Sequence, residues 1–233
     1  MATFSLPPRL LTISDLIPKG SVVADIGTDH ALLPIYLIKN GIAKSAIASD
    51  IADGPLNSAR KNITAHALEG KIEVVKSDGL VNVYPFTPET VIIAGMGGET
   101  IRDIIANCGY SISGAPLFLL QPMTHTELLR EYLMTNGFSI LSETVIQEEH
   151  RFYVIISAKF SKKAEHYFKL SGKTDYELGG ITKKTSAASE NYLKWRRQTA
   201  QKALQGIQKS QGFEQKKSDL TALIEEIDKR LNS

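Results

Sequence analysis

A single cysteine, Cys108, in 233 residues leaves nothing for a disulfide framework and points to a reducing compartment. No apolar run approaches the roughly 18 residues that a membrane-crossing helix needs. The first residues lack a long apolar core and are interrupted by Pro7, Pro8 and Pro18, so a signal peptide is not expected. His66, His125, His150 and His166 are dispersed and, with Cys108, offer no metal-ligand spacing. These absences lead to the expectation of a soluble, cytoplasmic protein with no metal and no membrane association. Cys108, within "IIANCGY", is expected to pack at a helix end.

Net charge is also small, at +2, but it is unevenly spread. Residues 1–160 hold 12 Lys+Arg against 16 Asp+Glu, and residues 161–233 hold 15 against 9. A mildly acidic body with a basic tail suits contact between the tail and a polyanion; a solvated helical surface is the plainer alternative.

What the chain does have is alternation. Short apolar runs at 22–26, 45–49, 72–76, 91–94 and 117–121 read as strands. Between them "ALLPIYLIKNG", closed by Gly41, and "NSARKNITAHALEG", closed by Gly70, read as helices, as do "GETIRDIIANCG" and "HTELLREYLMTNG". Such alternation implies a parallel sheet covered on both faces. The segment "FSILSETVIQEEHRFYVIISAKF" then has no room for a helix and reads as a terminal antiparallel hairpin, which brings the strands to seven. The expected fold is therefore α/β: a Rossmann-like class I S-adenosylmethionine (SAM)-dependent methyltransferase domain over 1–160. A nicotinamide-binding domain would continue with a sixth parallel strand instead. Residues 161–233 are expected to form a helical coiled-coil domain, a hairpin about Gly212. One apolar stripe is Tyr192, Trp195, Thr199, Ala203 and Ile207; the other is Phe213, Leu220, Ile224, Ile227 and Leu231. Trp195 is expected to seal this hairpin.

Ligands of open α/β sheets bind beyond the carboxyl ends of the strands, and polar residues collect there. Asp25 and Gly27 end the first strand. Asp50 ends the second, where a carboxylate accepts from ribose hydroxyls. Asp78 and Gly79 follow the third, placed to receive an adenine amino group. Gly95, Met96, Gly97 and Gly98 follow the fourth, and Gln121 and Pro122 the fifth. Each is open to a turn reading taken singly, and Met96 to a core role. Together they indicate a nucleoside-containing cofactor, and the lack of a full G-x-G-x-x-G favours one without a phosphate to cradle.

"ADIGTDHALLP", "IAGMGG" and "LQP", in that order and with the hairpin and helical tail, resemble the bacterial tRNA adenine-N1 methyltransferases that modify adenine 22. The resemblance spans essentially the whole chain. It implies SAM as methyl donor, tRNA as substrate, a Rossmann-like catalytic domain and a coiled-coil C-terminal domain. Asp25, Gly27, Asp50, Asp78 and the Gly95–Gly98 loop match the family's cofactor side. Asp29, His30 and Pro34 match its signature, with a catalytic role carried over to Asp29.

Adenine N1 has a lone pair and attacks a methyl group without losing a proton, and the product base is positively charged. A carboxylate beside the acceptor, Asp29, would orient the base and stabilise that charge. His30 would position the base or the carboxylate, and Pro34 would fix the helix start. Helix capping by Asp29 and a structural hydrogen bond by His30 are the competing readings. Gln121 and Pro122 are candidates for the acceptor pocket. Tyr84, Phe86 and Tyr110 are candidates to hold a base drawn out of its stack, with core packing the alternative for each. Around Trp195, Lys183, Lys184, Lys194, Arg196, Arg197 and Lys202 suit RNA phosphates. Three alternatives remain at this point: methyl transfer to another RNA base or a small molecule, nicotinamide chemistry, and a non-catalytic nucleotide-binding module. No pattern fixes the oligomeric state, for which a monomer is the expectation.

Overall fold

The computed structural model describes residues 6–107, 116–161, 165–168 and 172–233; Cys108 and Tyr110 lie outside them. In chain order the elements are α1 (Pro8–Asp15), β1 (Ser21–Ile26), α2 (Leu32–Lys39), β2 (Ala43–Asp50), α3 (Asp53–Ala65) and β3 (Ile72–Lys76). Then come β4 (Thr90–Gly97), α4 (Gly98–Ala106), β5 (Leu117–Thr124), α5 (Thr126–Thr135), β6 (Phe138–Glu148) and β7 (Arg151–Phe160). The last helices are α6 (Lys173–Leu178), α7 (Ala187–Ile207) and α8 (Glu214–Asn232).

The seven strands form one sheet in the order β3-β2-β1-β4-β5-β7-β6. β1 to β5 run parallel, and β7 lies antiparallel to both β5 and β6. Successive residues of a strand face opposite sides, and the core divides accordingly. Ala24, Val91, Ile93, Phe118 and Leu120 join the layer under α4, α5, α7 and α8. Val23, Ile92 and Leu119 join the layer under α1, α2 and α3.

Five features depart from the sequence reading. α1 was not anticipated: Pro7 and Pro8 read as breaks, but Pro8 opens the helix at its first position, where a missing N–H costs nothing. α3 ends at Ala65 rather than running to Gly70. On α7 the stripe is displaced: Thr199 and Ala203 face solvent, whereas Ser189, Leu193 and Ala200 are buried beside Tyr192. The reason is that α7 packs on the sheet as well as on α8, so its buried face answers to both. Trp195 is 43% exposed and does not seal the hairpin; it stacks on Phe152 of β7 and on Tyr192, with ring centroids 5.7 and 6.0 Å away. On α8, Leu220, Ile224, Ile227 and Leu231 face inward as expected, joined by Leu223, while Phe213 is exposed. Leu178, Ile181, Leu193, Leu223 and Ile227 continue the same apolar layer that fills the sheet.

Candidate active site

Strand order reverses between β1 and β4: β1 carries β2 on one side and β4 on the other. Chains leaving the carboxyl ends of β1 and β4 diverge there and open a crevice. Asp25, near the end of β1, is buried beside it. Its carboxyl is pushed up to about 6, chiefly because burial penalises the charged form and also because Asp50 adds a like charge. Gly27 follows at φ +73°, and a β-carbon on it would overlap Met96 Cε. β4 bulges between Ala94 and Gly97, which turns Met96 across toward Gly27 and leaves open space at Gly95.

The loop after Gly27 is strained. His30 and Ala31 both adopt left-handed conformations, at φ 60° and 55°, in which a residue with a β-carbon costs about 1–2 kcal/mol. The loop is held by Asn62 of α3, whose Nδ2 donates to the His30 carbonyl at 2.9 Å. Ala31 occupies the cap position of α2, and no side chain caps that helix. Asp29 is therefore not a cap. Its side chain is 80% exposed, and its Oδ1 lies 3.0 Å from His30 Nε2. Pro34 is buried in the first turn of α2, behind the loop rather than in the crevice.

Two cavities open at the strand ends. One, of about 330 Å³, is lined by Asp25, Gly27, Asp29, Ala94 and Gly95, by Leu32 and Leu33 of α2, and by Pro7, Arg9 and Leu10. The other, of about 230 Å³, is lined by Asp78, Gly79, Leu80 and Val81, by Thr100, Asp103 and Ile104 of α4, and by Asn107 at its end. Asp50 Oδ1 accepts the Ala52 N–H at 2.8 Å, which leaves the carboxylate further lone pairs for hydroxyl donors. Gln121 pairs across the sheet with Ala94. It is fully buried, its Nε2 donates to the Pro122 carbonyl, and its Oε1 has no partner among the described residues. Pro122 is buried, and Gly97 caps α4. A close-approach glycine, open space at Gly95 and carboxylates at successive strand ends fit a nucleoside cofactor bearing no phosphate.

Tyr84 and Phe86 lie in a short 3₁₀ turn that leads to the amino end of β4, away from the crevice. Lys194, Arg196 and Arg197 are on α7, outside both cavities, and all are paired: with Glu190, with Glu177, and with both oxygens of Asp228. The sequence reading missed Arg9 and Asn62. Pro8 at a helix start was the one signal that would have placed Arg9 on a helix. Among the described residues no group of three His, Cys, Asp or Glu is arranged to hold a metal, and no helix is long and apolar enough to cross a membrane.

Residues 6–156 match the family model described as a methyltransferase domain. The Bacillus subtilis (strain 168) tRNA (adenine(22)-N(1))-methyltransferase is 31% identical over 231 residues, covering 98% of this chain and 96% of that protein. The chain belongs to the tRNA (adenine(22)-N(1))-methyltransferase family. The crystal structure of the B. subtilis m1A22 tRNA methyltransferase superposes with a TM-score of 0.85 at 29% identity, covering 98% of this chain and 99% of that one. A Streptococcus pneumoniae protein solved with S-adenosyl-L-methionine superposes at 0.83 and 29% identity, covering 97% of this chain and all of that one. Like these tRNA methyltransferase relatives, the chain carries the Rossmann-like class I sheet with its antiparallel terminal hairpin and a helical C-terminal region.

Proposed function

We propose that the chain transfers a methyl group from SAM to N1 of adenine 22 in tRNA. The observation that carries this reading is Asp29: an exposed carboxylate on a strained, braced loop, facing the same cavity as Asp25, Gly27 and Gly95. SAM supplies an electrophilic methyl group, and the bond to its sulfur breaks as the bond to N1 forms. Because the N1 lone pair is available at neutral pH, the protein needs no strong base. Its task is to hold N1 in line and to receive the positive charge that the ring acquires. Entry of the base would exclude water around Asp29 and strengthen its interaction with that charge. His30, in contact with Asp29, limits the directions the carboxylate can take. Asp25, Gly27, Asp50, Asp78, Gly79, Gly95, Met96 and Gly97 would hold the cofactor. Gln121, paired in the sheet with Ala94 of the cavity wall, has a buried Oε1 with no partner among the described residues, which would be available to the acceptor base.

In this reading residues 1–160 carry the chemistry and residues 161–233 meet tRNA in the cytoplasm. Support for the second part comes from Lys184, Lys202 and Lys209, which are exposed and make no ion pair among the described residues. For Lys194, Arg196 and Arg197 to meet phosphate, they would have to exchange their present partners.

The test is methyl transfer from labelled SAM to unmodified tRNA with adenine at position 22, beside the same tRNA with guanine there. Transfer to the adenine form alone is expected. Equal labelling of both removes the site assignment, and no transfer to either, with SAM bound, redirects the search to small-molecule acceptors.

A further inference from the structure

α1 brings a cation to the rim of the cavity that holds Asp29. Arg9 lines that cavity together with Asp25, Gly27 and Asp29, and it is the one cation among the described residues that do so. Its guanidinium is fixed from two sides. Nη1 donates to both oxygens of Glu148, at the end of β6, at 2.9 and 3.1 Å. The Tyr153 ring of β7 lies beneath it, with 5.5 Å from its centre to Arg9 Cζ. About a quarter of the side chain remains exposed.

The manner of pairing is informative. Arg197 meets Asp228 as a fork, with Nε and Nη2 each taking one carboxylate oxygen; that arrangement occupies the donor edge best suited to an oxyanion. Arg9 uses Nη1 alone for both oxygens of Glu148. Its Nε and Nη2 have no acceptor among the described residues. A guanidinium with a free donor edge, held rigid at the mouth of a cavity, is arranged to take a second anion. A nucleotide whose base enters the cavity must leave its phosphates at the rim.

We infer that Arg9 is a substrate-anchoring residue that binds a backbone phosphate flanking the target nucleotide, with Glu148 and Tyr153 holding its guanidinium in place. This rests on the proposed RNA methyl transfer. The observations that support it are the location of Arg9 on the cavity wall, its partial exposure and its unused donors.

The experiment uses the full chain with R9A, R9K and E148Q. It reads equilibrium tRNA binding without SAM at several salt concentrations, steady-state kcat and KM, SAM affinity and Tm. R9A is expected to weaken tRNA binding and raise its KM by about tenfold or more, the effect of losing a charge-assisted contact. SAM affinity should hold, and the salt slope of log affinity should shrink by about 0.7, as for one single-strand phosphate contact. R9K should recover part of the loss. E148Q should bind tRNA at least as tightly as wild type, because the carboxamide oxygen still accepts from Arg9 Nη1 while the Arg9 charge is no longer neutralised. If R9A and E148Q weaken binding alike and both lower Tm, the pair is a brace between α1 and the hairpin and the inference fails. It fails equally if R9A leaves tRNA binding and its salt slope unchanged. A wild-type protein that binds tRNA but does not methylate it overturns the proposed reaction, while the binding comparison still decides the role of Arg9.

Discussion

The crevice at the carboxyl ends of β1 and β4 presents polar groups to solvent, whereas the junction that docks the helical hairpin buries them against one another. In the crevice Asp29 is presented to solvent, Arg9 keeps donors that have no acceptor among the described residues, and two consecutive non-glycine residues are left-handed. At the junction, Arg130 of α5 and Glu143 of β6 pair at 2.6 Å with both side chains fully buried. Glu143 also accepts from the Tyr167 hydroxyl at 2.9 Å and the Gly180 N–H at 2.8 Å, and Arg130 Nη1 donates to the Tyr176 and Glu177 carbonyls, while the buried Arg130 Nη2 has no partner among the described residues. Burial, reinforced by the Glu143 charge, raises the Tyr167 pKa, so its hydroxyl stays a donor. Arg230 of α8 closes the region onto the Gly179 and Ile181 carbonyls and Asp175. Gly179 sits at φ +59°, and a β-carbon there would overlap Glu143. The difference teaches that the junction is built to be rigid and the crevice to receive a partner.

Substitutions should separate the two regions. The largest effect is expected at the junction: Glu143→Ala strands the buried Arg130 charge and should cost about 3–5 kcal/mol in denaturant unfolding. The protein that remains folded should keep its SAM affinity. An undiminished unfolding midpoint would dissolve the contrast. Next comes Asp25. Its carboxyl titrates near 6 folded against 3.8 in the unfolded chain, so the folded state holds the extra proton between those values. Stability should therefore fall as pH rises from 3.8 to about 6, by up to about 3 kcal/mol, and then level off. Asp25→Asn should flatten that stretch of the curve, and a curve of wild-type shape in the variant would contradict the assignment.

Asp29→Asn should sharpen the comparison from the other side. Single-turnover methyl transfer is expected to slow about 100-fold, the usual size of one electrostatic contact to developing charge. Tm and SAM affinity should not move, because the side chain is exposed. Turnover at the wild-type rate would remove Asp29 from the chemistry. Gly27→Ala should cost less stability than the junction variant, at about 1–2 kcal/mol for a β-carbon at positive φ. There the loss of SAM affinity, read by calorimetry, should be the clearer signal because Met96 has to shift.

Much of this was legible beforehand. The strands were read within a few residues because apolar runs bounded by turn residues carry their own period, and Ile72–Lys76 was read with both ends correct. Strand-end residues follow once the strands are placed, so Asp25, Asp50 and Asp78 were found without coordinates. Helix faces were harder. α7 carries apolar residues on more than one line, and its two neighbours, not its own period, select Leu193 and Ala200 over Thr199 and Ala203. The tail's basic residues were read as a field open to RNA, but Arg196 and Arg197 meet Glu177 and Asp228, 19 and 31 positions away.

The alternation of strands and helices from β1 to β5, the terminal hairpin and the carboxylates at the strand ends were determined by the sequence alone, because local periodicity and turn chemistry act over a few residues. Tertiary structure alone decided that Arg9 meets Glu148 across 139 positions, that Arg130 and Glu143 vanish into one core, and which cations are left for a partner. Charges attract through space irrespective of their separation along the chain, so their pairing exists only once the sheet has brought them together.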